Sequence, residues 1–74
     1  MLRSFTRDEF ECAQESEVWH AEEGGKHSCT FHHSVCTFEG KLYMFSYDVD
    51  YNEGLMAFQY SDSISGLEVE PYER

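Results

Sequence analysis

Alternating apolar and polar positions run through residues 41–51 and predict a β-strand that is half-buried in a sheet. One predicted face is mainly aromatic and consists of Tyr43, Phe45, Tyr47, Val49 and Tyr51. The opposite face consists of Leu42, Met44, Ser46, Asp48 and Asp50. Residues 27–38, rich in Thr, Phe, Val and Cys, predict a further strand, and residues 55–61 and 67–72 continue the strand pattern.

Glycine-containing polar segments between these runs predict the turns. Residues 39–40 have the length of a two-residue hairpin loop, and the Gly-Gly pair at 24–25 suits a tight hairpin because glycine accepts positive φ. Residues 52–54 fit a three-residue loop that ends in a left-handed glycine. Residues 61–66 predict a looser polar turn.

The two-residue turn at 39–40 fixes how its flanking strands pair, starting with Phe38 opposite Lys41. The further predicted pairs are Cys36 with Tyr43, Val35 with Met44, Ser34 with Phe45, His33 with Ser46, His32 with Tyr47, Phe31 with Asp48 and Cys29 with Asp50. Strand alternation therefore divides the histidines and cysteines of this segment between two faces.

The N-terminal residues carry a helix-start signal. Thr6 and Glu9 have the spacing of a capping box, and Phe5 and Phe10 lie where a hydrophobic staple places them, so a helix beginning at Arg7 is predicted.

The end of this helix is less well defined by the pattern. We predict a helix over about residues 7–14, followed by a strand over about 16–22. A helix that continues through Ala21 and a strand throughout are the alternatives, because Phe10 and Cys12 also alternate with acids.

Seventy-four residues allow one small domain, residues 1–74, with a thin core. The pattern predicts an α+β fold, an antiparallel β-meander of four or five strands with one short N-terminal helix. An all-β, small barrel-like sheet is the alternative.

Charge is the property that most restricts function. The chain holds 15 acidic and five basic residues, a formal net charge of −10 at pH 7. Such a polyanion is repelled by nucleic acid and by anionic membranes, so neither is expected as a direct partner. The expected partner is a basic protein surface, such as that of a nucleic-acid-binding enzyme or complex. The alternative is that the acids serve only solubility.

Three cysteines cannot form a complete disulfide framework. The N-terminal residues lack an apolar stretch of signal-peptide length, so a reducing, cytoplasmic location with free thiols is expected.

The histidine- and cysteine-rich segment is the candidate for chemistry. A zinc site would draw on Cys29, His32, His33 and Cys36, but there is no Cys-x-x-Cys pair and the predicted strand points these side chains to opposite faces. The segment also lacks a glycine-rich nucleophile turn, so no catalytic residue and no cofactor are predicted. We therefore expect a non-enzymatic protein.

The acids themselves are the leading candidate site. Residues 8–23 hold seven acids and no basic residue. On a strand, alternate acids such as Glu15 and Glu17 stand about 6.6 Å apart, a spacing that suits imitation of a phosphate backbone. The residues predicted to contact the partner are Glu9, Glu11, Glu15, Glu17, Glu22, Glu23, Asp48, Asp50 and Glu53, with Tyr47 and Tyr51 as anchors only if their face is not the core.

The leading hypothesis is thus an acidic inhibitor that blocks a basic, nucleic-acid-binding surface. Such a protein is similar in overall character to phage-encoded anti-CRISPR, anti-restriction and DNA-mimic inhibitors, although no motif carries the likeness. The alternatives are a zinc-binding or redox-responsive domain that uses the histidine and cysteine cluster, and a structural or accessory subunit, for example a homodimer joined through an exposed sheet edge.

Overall fold

A computed structural model describes residues 1–24, 29–50, 52, 54–59 and 61–70. Its elements in chain order are β1 (Leu2–Thr6), α1 (Arg7–Gln14), β2 (Glu17–Gly24), β3 (Cys29–Phe38), β4 (Lys41–Asp50), β5 (Gly54–Leu55), a 3-10 helix (Met56–Phe58) and β6 (Ser63–Val69). In this described part of the chain, no helix has the length and apolarity needed to cross a membrane.

The described strands form one antiparallel sheet in the order β1-β6-β4-β3-β2, with the short β5 paired to the end of β4. Strands β2, β3, β4 and β6 follow one another as a meander, and β1 pairs with the far side of β6. The predicted small antiparallel domain with one short helix is confirmed, but the sheet has six strands and not four or five.

Helix α1 spans Arg7–Gln14, the range that the sequence predicts. The hydroxyl of Thr6 accepts from the backbone N–H of Glu9 at 3.2 Å, and the Glu9 carboxylate accepts from the backbone N–H of Thr6 at 2.9 Å. This reciprocal pair is a capping box, and its backbone hydrogen bond lowers the pKa of Glu9. The helix ends before β2 begins, so the alternative helix through Ala21 is wrong.

The register of β3 and β4 agrees with the prediction at every pair from Phe38 opposite Lys41 to Cys29 opposite Asp50. Glu39 and Gly40 both have positive φ, 53° and 79°, as a two-residue hairpin turn of mirror-image type requires.

Two predictions in the C-terminal half are wrong. The strand predicted over 55–61 is the two-residue β5 followed by a 3-10 helix. Most of the turn predicted over 61–66 belongs to β6, which ends at Val69 and lies inside the sheet between β1 and β4. Strand β1 was not predicted.

Two predicted loops lie partly outside the described residues. Of the turn predicted at 24–25, Gly24 instead ends β2 and pairs with Thr30, and residues 25–28 lie outside the described residues. In the loop predicted at 52–54, residue 53 is not described, whereas Gly54 has the expected positive φ of 86°.

The core lies on one face of the sheet, beneath α1 and the 3-10 helix. Phe45 is fully buried at its centre, and its ring meets those of Phe5 and Phe10 edge to face, with centroids 4.9 and 5.1 Å apart. The other buried residues of this cluster are Ala13, Cys36, Tyr43, Tyr47, Phe58 and Ile64. Every strand residue in the cluster lies on this covered face.

Candidate functional site

The opposite face of the sheet carries an apolar row that crosses five strands. The strand pairings place Leu2, Leu67, Met44, Val35 and Trp19 side by side, in that order. At about 4.8 Å between neighbouring strands, the row is roughly 19 Å long. Leu2 is 67% exposed and Trp19 is 53% exposed, so in the described part of the chain this side, which we call the open face, is left uncovered.

A shallow groove of about 490 Å³ runs along one end of this row. It is lined by Val18, Trp19, Val35, Leu42, Val69 and Glu70. A bulge between Glu17 and Trp19 brings Val18 onto this side, where it is 62% exposed. The groove therefore combines large apolar side chains with an acidic residue at its margin.

The open face becomes polar away from the apolar row. Ser46 follows Met44 by two residues on β4. It is paired with His33 of β3, and their side chains are hydrogen-bonded at 2.9 Å. Two residues beyond Ser46, Asp48 of β4 pairs with Phe31 of β3. On its other side, Phe31 pairs with Glu23 of β2. The open face thus has an apolar end and an acidic end.

Three of the acids predicted to contact a partner have roles inside the fold. Glu9 completes the capping box of α1. The Glu17 carboxylate accepts a short hydrogen bond from the hydroxyl of the fully buried Ser34. Asp50 accepts from the backbone N–H of Asn52 at 2.7 Å.

Two further predicted acids stand beside histidines. The carboxylate of Glu22 lies 3.5 Å from Nε2 of His32, and that of Glu23 lies 3.6 Å from Nε2 of His33. Because neighbouring residues of a strand point to opposite faces, the first pair is on the covered face and the second is on the open face.

The remaining predicted acids do not share one surface. Glu11 and Glu15 are exposed on and just after α1, whereas Asp48 is exposed on the open face; Glu53 lies outside the described residues. Glu15 caps the end of the helix and β2 begins only at Glu17, so the strand spacing expected between these two acids is wrong.

The two tyrosines proposed as anchors have different outcomes. Tyr47 is only 8% exposed and belongs to the core cluster, so the condition for its use as an anchor is not met. Tyr51 lies outside the described residues.

The four residues of the predicted zinc alternative are not brought together. His32 and Cys36 lie on the covered face, and Cys29 and His33 lie on the open face, as the register predicted. The thiol of Cys36 is fully buried and contacts the hydroxyl of Ser34 at 3.2 Å. Burial raises the pKa of this thiol, which disfavours the reactive thiolate.

A chain of polar contacts instead crosses the covered face from α1 to the edge strand β2. The amide of Gln14 donates to Ser34 at 3.1 Å, and Ser34 donates to Glu17. Nδ1 of His20 lies 3.1 Å from the same Glu17 carboxylate, and Nε2 of His20 lies 3.0 Å from Nδ1 of His32. His20 was not among the predicted site residues, because its contact with His32 depends on the pairing of β2 with β3.

The raised pKa of Tyr47 predicts that the folded protein loses stability at alkaline pH. Desolvation, together with the Glu17 charge, raises the pKa of Tyr47 to about 12. An unfolded tyrosine ionises near pH 10, so between about pH 10 and 12 the unfolded chain releases a proton that the folded chain keeps. Stability should therefore fall as pH rises through this range, and the raised pKa of Cys36 acts in the same direction.

Urea unfolding midpoints of the wild type and of Tyr47→Phe, each measured at pH 8 and pH 11, test this expectation. The loss of stability between the two pH values should be smaller in Tyr47→Phe. An equal loss in both proteins would show that Tyr47 does not cause it.

Comparison with known proteins finds no matching family model, no matching curated protein and no matching solved structure.

Proposed function

We propose that this protein is a non-enzymatic binding module that docks its open face onto a basic protein surface and blocks it. The observation that supports the proposal is the apolar row across five strands, whose end members Leu2 and Trp19 are more than half exposed. Folded monomers rarely leave a large contiguous apolar patch in water, and tryptophan and methionine are enriched at protein interfaces.

The charge of the chain determines which partners it attracts. Against a net charge of −10, the described bases are Arg3, Arg7 and Lys41. Arg3 is paired with Glu39 at 2.8 Å, and Arg7 lies over the Phe58 ring. A basic partner is attracted and an acidic one is repelled, so charge supplies selectivity and rapid association while the apolar row supplies buried area.

Among proteins with a basic surface, we propose a nucleic-acid-binding protein as the partner. Such proteins expose the extended basic surfaces that a strongly acidic domain complements. Asp48 and Glu23 extend the contact beyond the apolar row, and Glu70 borders the groove at the other end. Occupation of that surface would exclude the nucleic acid.

Affinity capture from the lysate of the native host tests the proposal when three immobilised proteins are compared. The wild type should enrich a basic protein. The open-face variant Trp19→Ser with Leu67→Ser should retain it at least about tenfold less, because a few central residues dominate interface energies. The control Glu11→Gln, on the opposite side of the molecule, should retain it as the wild type does.

The properties of the captured protein then test whether the partner is a nucleic-acid-binding protein. Its binding should weaken as salt rises, and the immobilised chain should compete with duplex DNA or RNA for it. Equal capture by the open-face variant, or enrichment of acidic proteins only, would contradict the proposal. Circular dichroism should confirm that both variants remain folded, since Trp19 and Leu67 are exposed.

Self-association is the other way to cover the open face, and charge opposes it. In a dimer formed through the open face, two chains that each carry a net charge of −10 would come together, and the acidic ends of their two open faces would meet. Light scattering at several concentrations, with and without added salt, measures this directly. A stable dimer that the double substitution at Trp19 and Leu67 dissociates would assign the open face to a second copy of the chain.

A further inference from the structure

We propose that His20, Glu22 and His32 form a binding site for a divalent transition-metal ion, with Zn²⁺ as the ion to test. The three residues lie on neighbouring strands at the edge of the covered face, beyond the core cluster. One donor atom from each lies within 4.8 Å of the donors of the other two. The site is separate from the open face and does not depend on the proposed function.

The contacts of His20 place its ring hydrogen on Nδ1. This nitrogen lies 3.1 Å from a Glu17 carboxylate oxygen, which as an anion can only accept. Nδ1 therefore carries the hydrogen, and Nε2 of neutral His20 is left with a lone pair. A histidine held in this way by a carboxylate is the usual arrangement behind a metal-ligating nitrogen, because it fixes the tautomer and orients the ring.

The contacts of His32 allow its ring to present a second nitrogen to the same ion. Nε2 of His32 lies 2.7 Å from the hydroxyl of Thr30 and 3.5 Å from the carboxylate of Glu22. Nδ1 of His32 lies at hydrogen-bond distance, 3.0 Å, from Nε2 of His20, so Nδ1–H of His32 donates to the His20 lone pair while Nε2 of His32 accepts from the Thr30 hydroxyl. When a cation binds, the His32 hydrogen moves to Nε2, where the Thr30 hydroxyl accepts it, and the two facing nitrogens both offer lone pairs to the ion.

The distances agree with this interpretation. Two imidazole nitrogens that bind one tetrahedral Zn²⁺ at about 2.0–2.1 Å stand roughly 3.3 Å apart, so the two rings need only small movements. Glu22 has a long and exposed side chain. Its carboxylate can turn toward the ion as the third ligand, while Thr30 accepts the Nε2 hydrogen of His32.

The surroundings hold both rings in place. The ring of His32 stacks on that of Tyr47 with an angle of 2° between their planes and 5.4 Å between their centroids. Behind His20, Glu17 is anchored by Ser34, which is fully buried. The fixed ring of His32 and the anchored carboxylate behind His20 reduce the ordering needed when an ion binds.

Two histidines and one carboxylate select a first-row transition metal over calcium or magnesium, which prefer all-oxygen sites. Three protein ligands leave at least one coordination position for water, because the site is at the molecular surface. This differs from the predicted zinc alternative, of whose four residues only His32 takes part.

The alternation of β2 and β3 provides matched controls. Glu22 and Glu23 are neighbours on opposite faces, and so are His32 and His33. Tag-free protein is titrated with Zn²⁺ alone, and both the heat of binding and the thermal unfolding midpoint are recorded. Wild type, Glu23→Gln and His33→Asn should bind one equivalent and unfold at a higher temperature with Zn²⁺, whereas His20→Asn and Glu22→Gln should show neither response.

Two further measurements separate this site from the thiols and from a purely structural polar chain. Glu17→Gln should weaken Zn²⁺ binding by about 10- to 100-fold without removing a ligand. Co²⁺ should give visible ligand-field bands without the near-ultraviolet sulfur-to-cobalt band that cysteine ligation produces. Absence of saturable binding to the wild type, or binding that His20→Asn leaves unchanged, would overturn the proposal.

Discussion

Phe45→Ala is expected to remove a large part of the stability of the protein. The Phe45 ring is fully buried and makes edge-to-face contacts with Phe5 and Phe10, which join β1 and α1 to the centre of the sheet. Removing a buried phenylalanine ring costs about 3–5 kcal/mol through lost burial and the cavity that remains. A 74-residue domain has about 4–11 kcal/mol in total, so this single change removes a large part of its stability.

Met44→Ala is the matched control, because Met44 is the adjacent residue on the same strand and faces the open side. Urea unfolding followed by circular dichroism should give a markedly lower midpoint for Phe45→Ala than for Met44→Ala. Under the proposed function, Met44→Ala should instead weaken partner capture. Equal destabilisation by both substitutions would show that the two faces of β4 are packed alike, and would contradict an uncovered apolar row.

Local signals in the sequence were sufficient for α1 and for the β3–β4 hairpin. The capping box needs only Thr6 and Glu9, three residues apart, to mark where the helix begins. A two-residue turn leaves a single register, and every predicted pair followed from it. Both features depend on contacts between residues close in sequence, which is why they could be predicted.

Strand β1 and the first half of β6 could not be predicted in this way, because they pair with each other across the whole chain, whereas the end of β6 overlaps the strand predicted over 67–72. The segment 61–66 is rich in serine and glycine and therefore resembles a turn. In the sheet, Ser63 and Ser65 face the open side, and Gly66 lies under the aromatic core. Its composition reflects these tertiary surroundings and not a loop.

The two candidate sites likewise depend on strand pairings that local sequence signals do not determine. A two-residue turn at 24–25 would have placed Glu22 opposite His27, whereas the observed register places it opposite His32. Only that register brings His20 and His32 together. The apolar row likewise needs the pairings of β1 with β6 and of β6 with β4, although Leu42 and Met44 already showed that the outer face of β4 is partly apolar.

The second large effect is expected at Gly66, where even one methyl group cannot be added without displacing the core. A Cβ atom built on Gly66 would lie 2.7 Å from a ring carbon of Phe45 and 2.7 Å from one of Phe5. Both rings are fully buried, so neither can move aside without disturbing its other neighbours. Gly66→Ala should therefore destabilise the protein by about 1–3 kcal/mol, the usual cost of overpacking a core.

Ser65→Ala, one residue earlier and exposed on the open face, is the control and should change stability by no more than about 0.5 kcal/mol. A double-mutant cycle with Phe5→Leu then tests the cause. If the added methyl group collides with the ring, Gly66→Ala should cost less in the Phe5→Leu background, because the smaller side chain leaves room for it. An equal cost in both backgrounds would contradict a collision with the Phe5 ring and would leave the Phe45 ring, at the same distance, as its source.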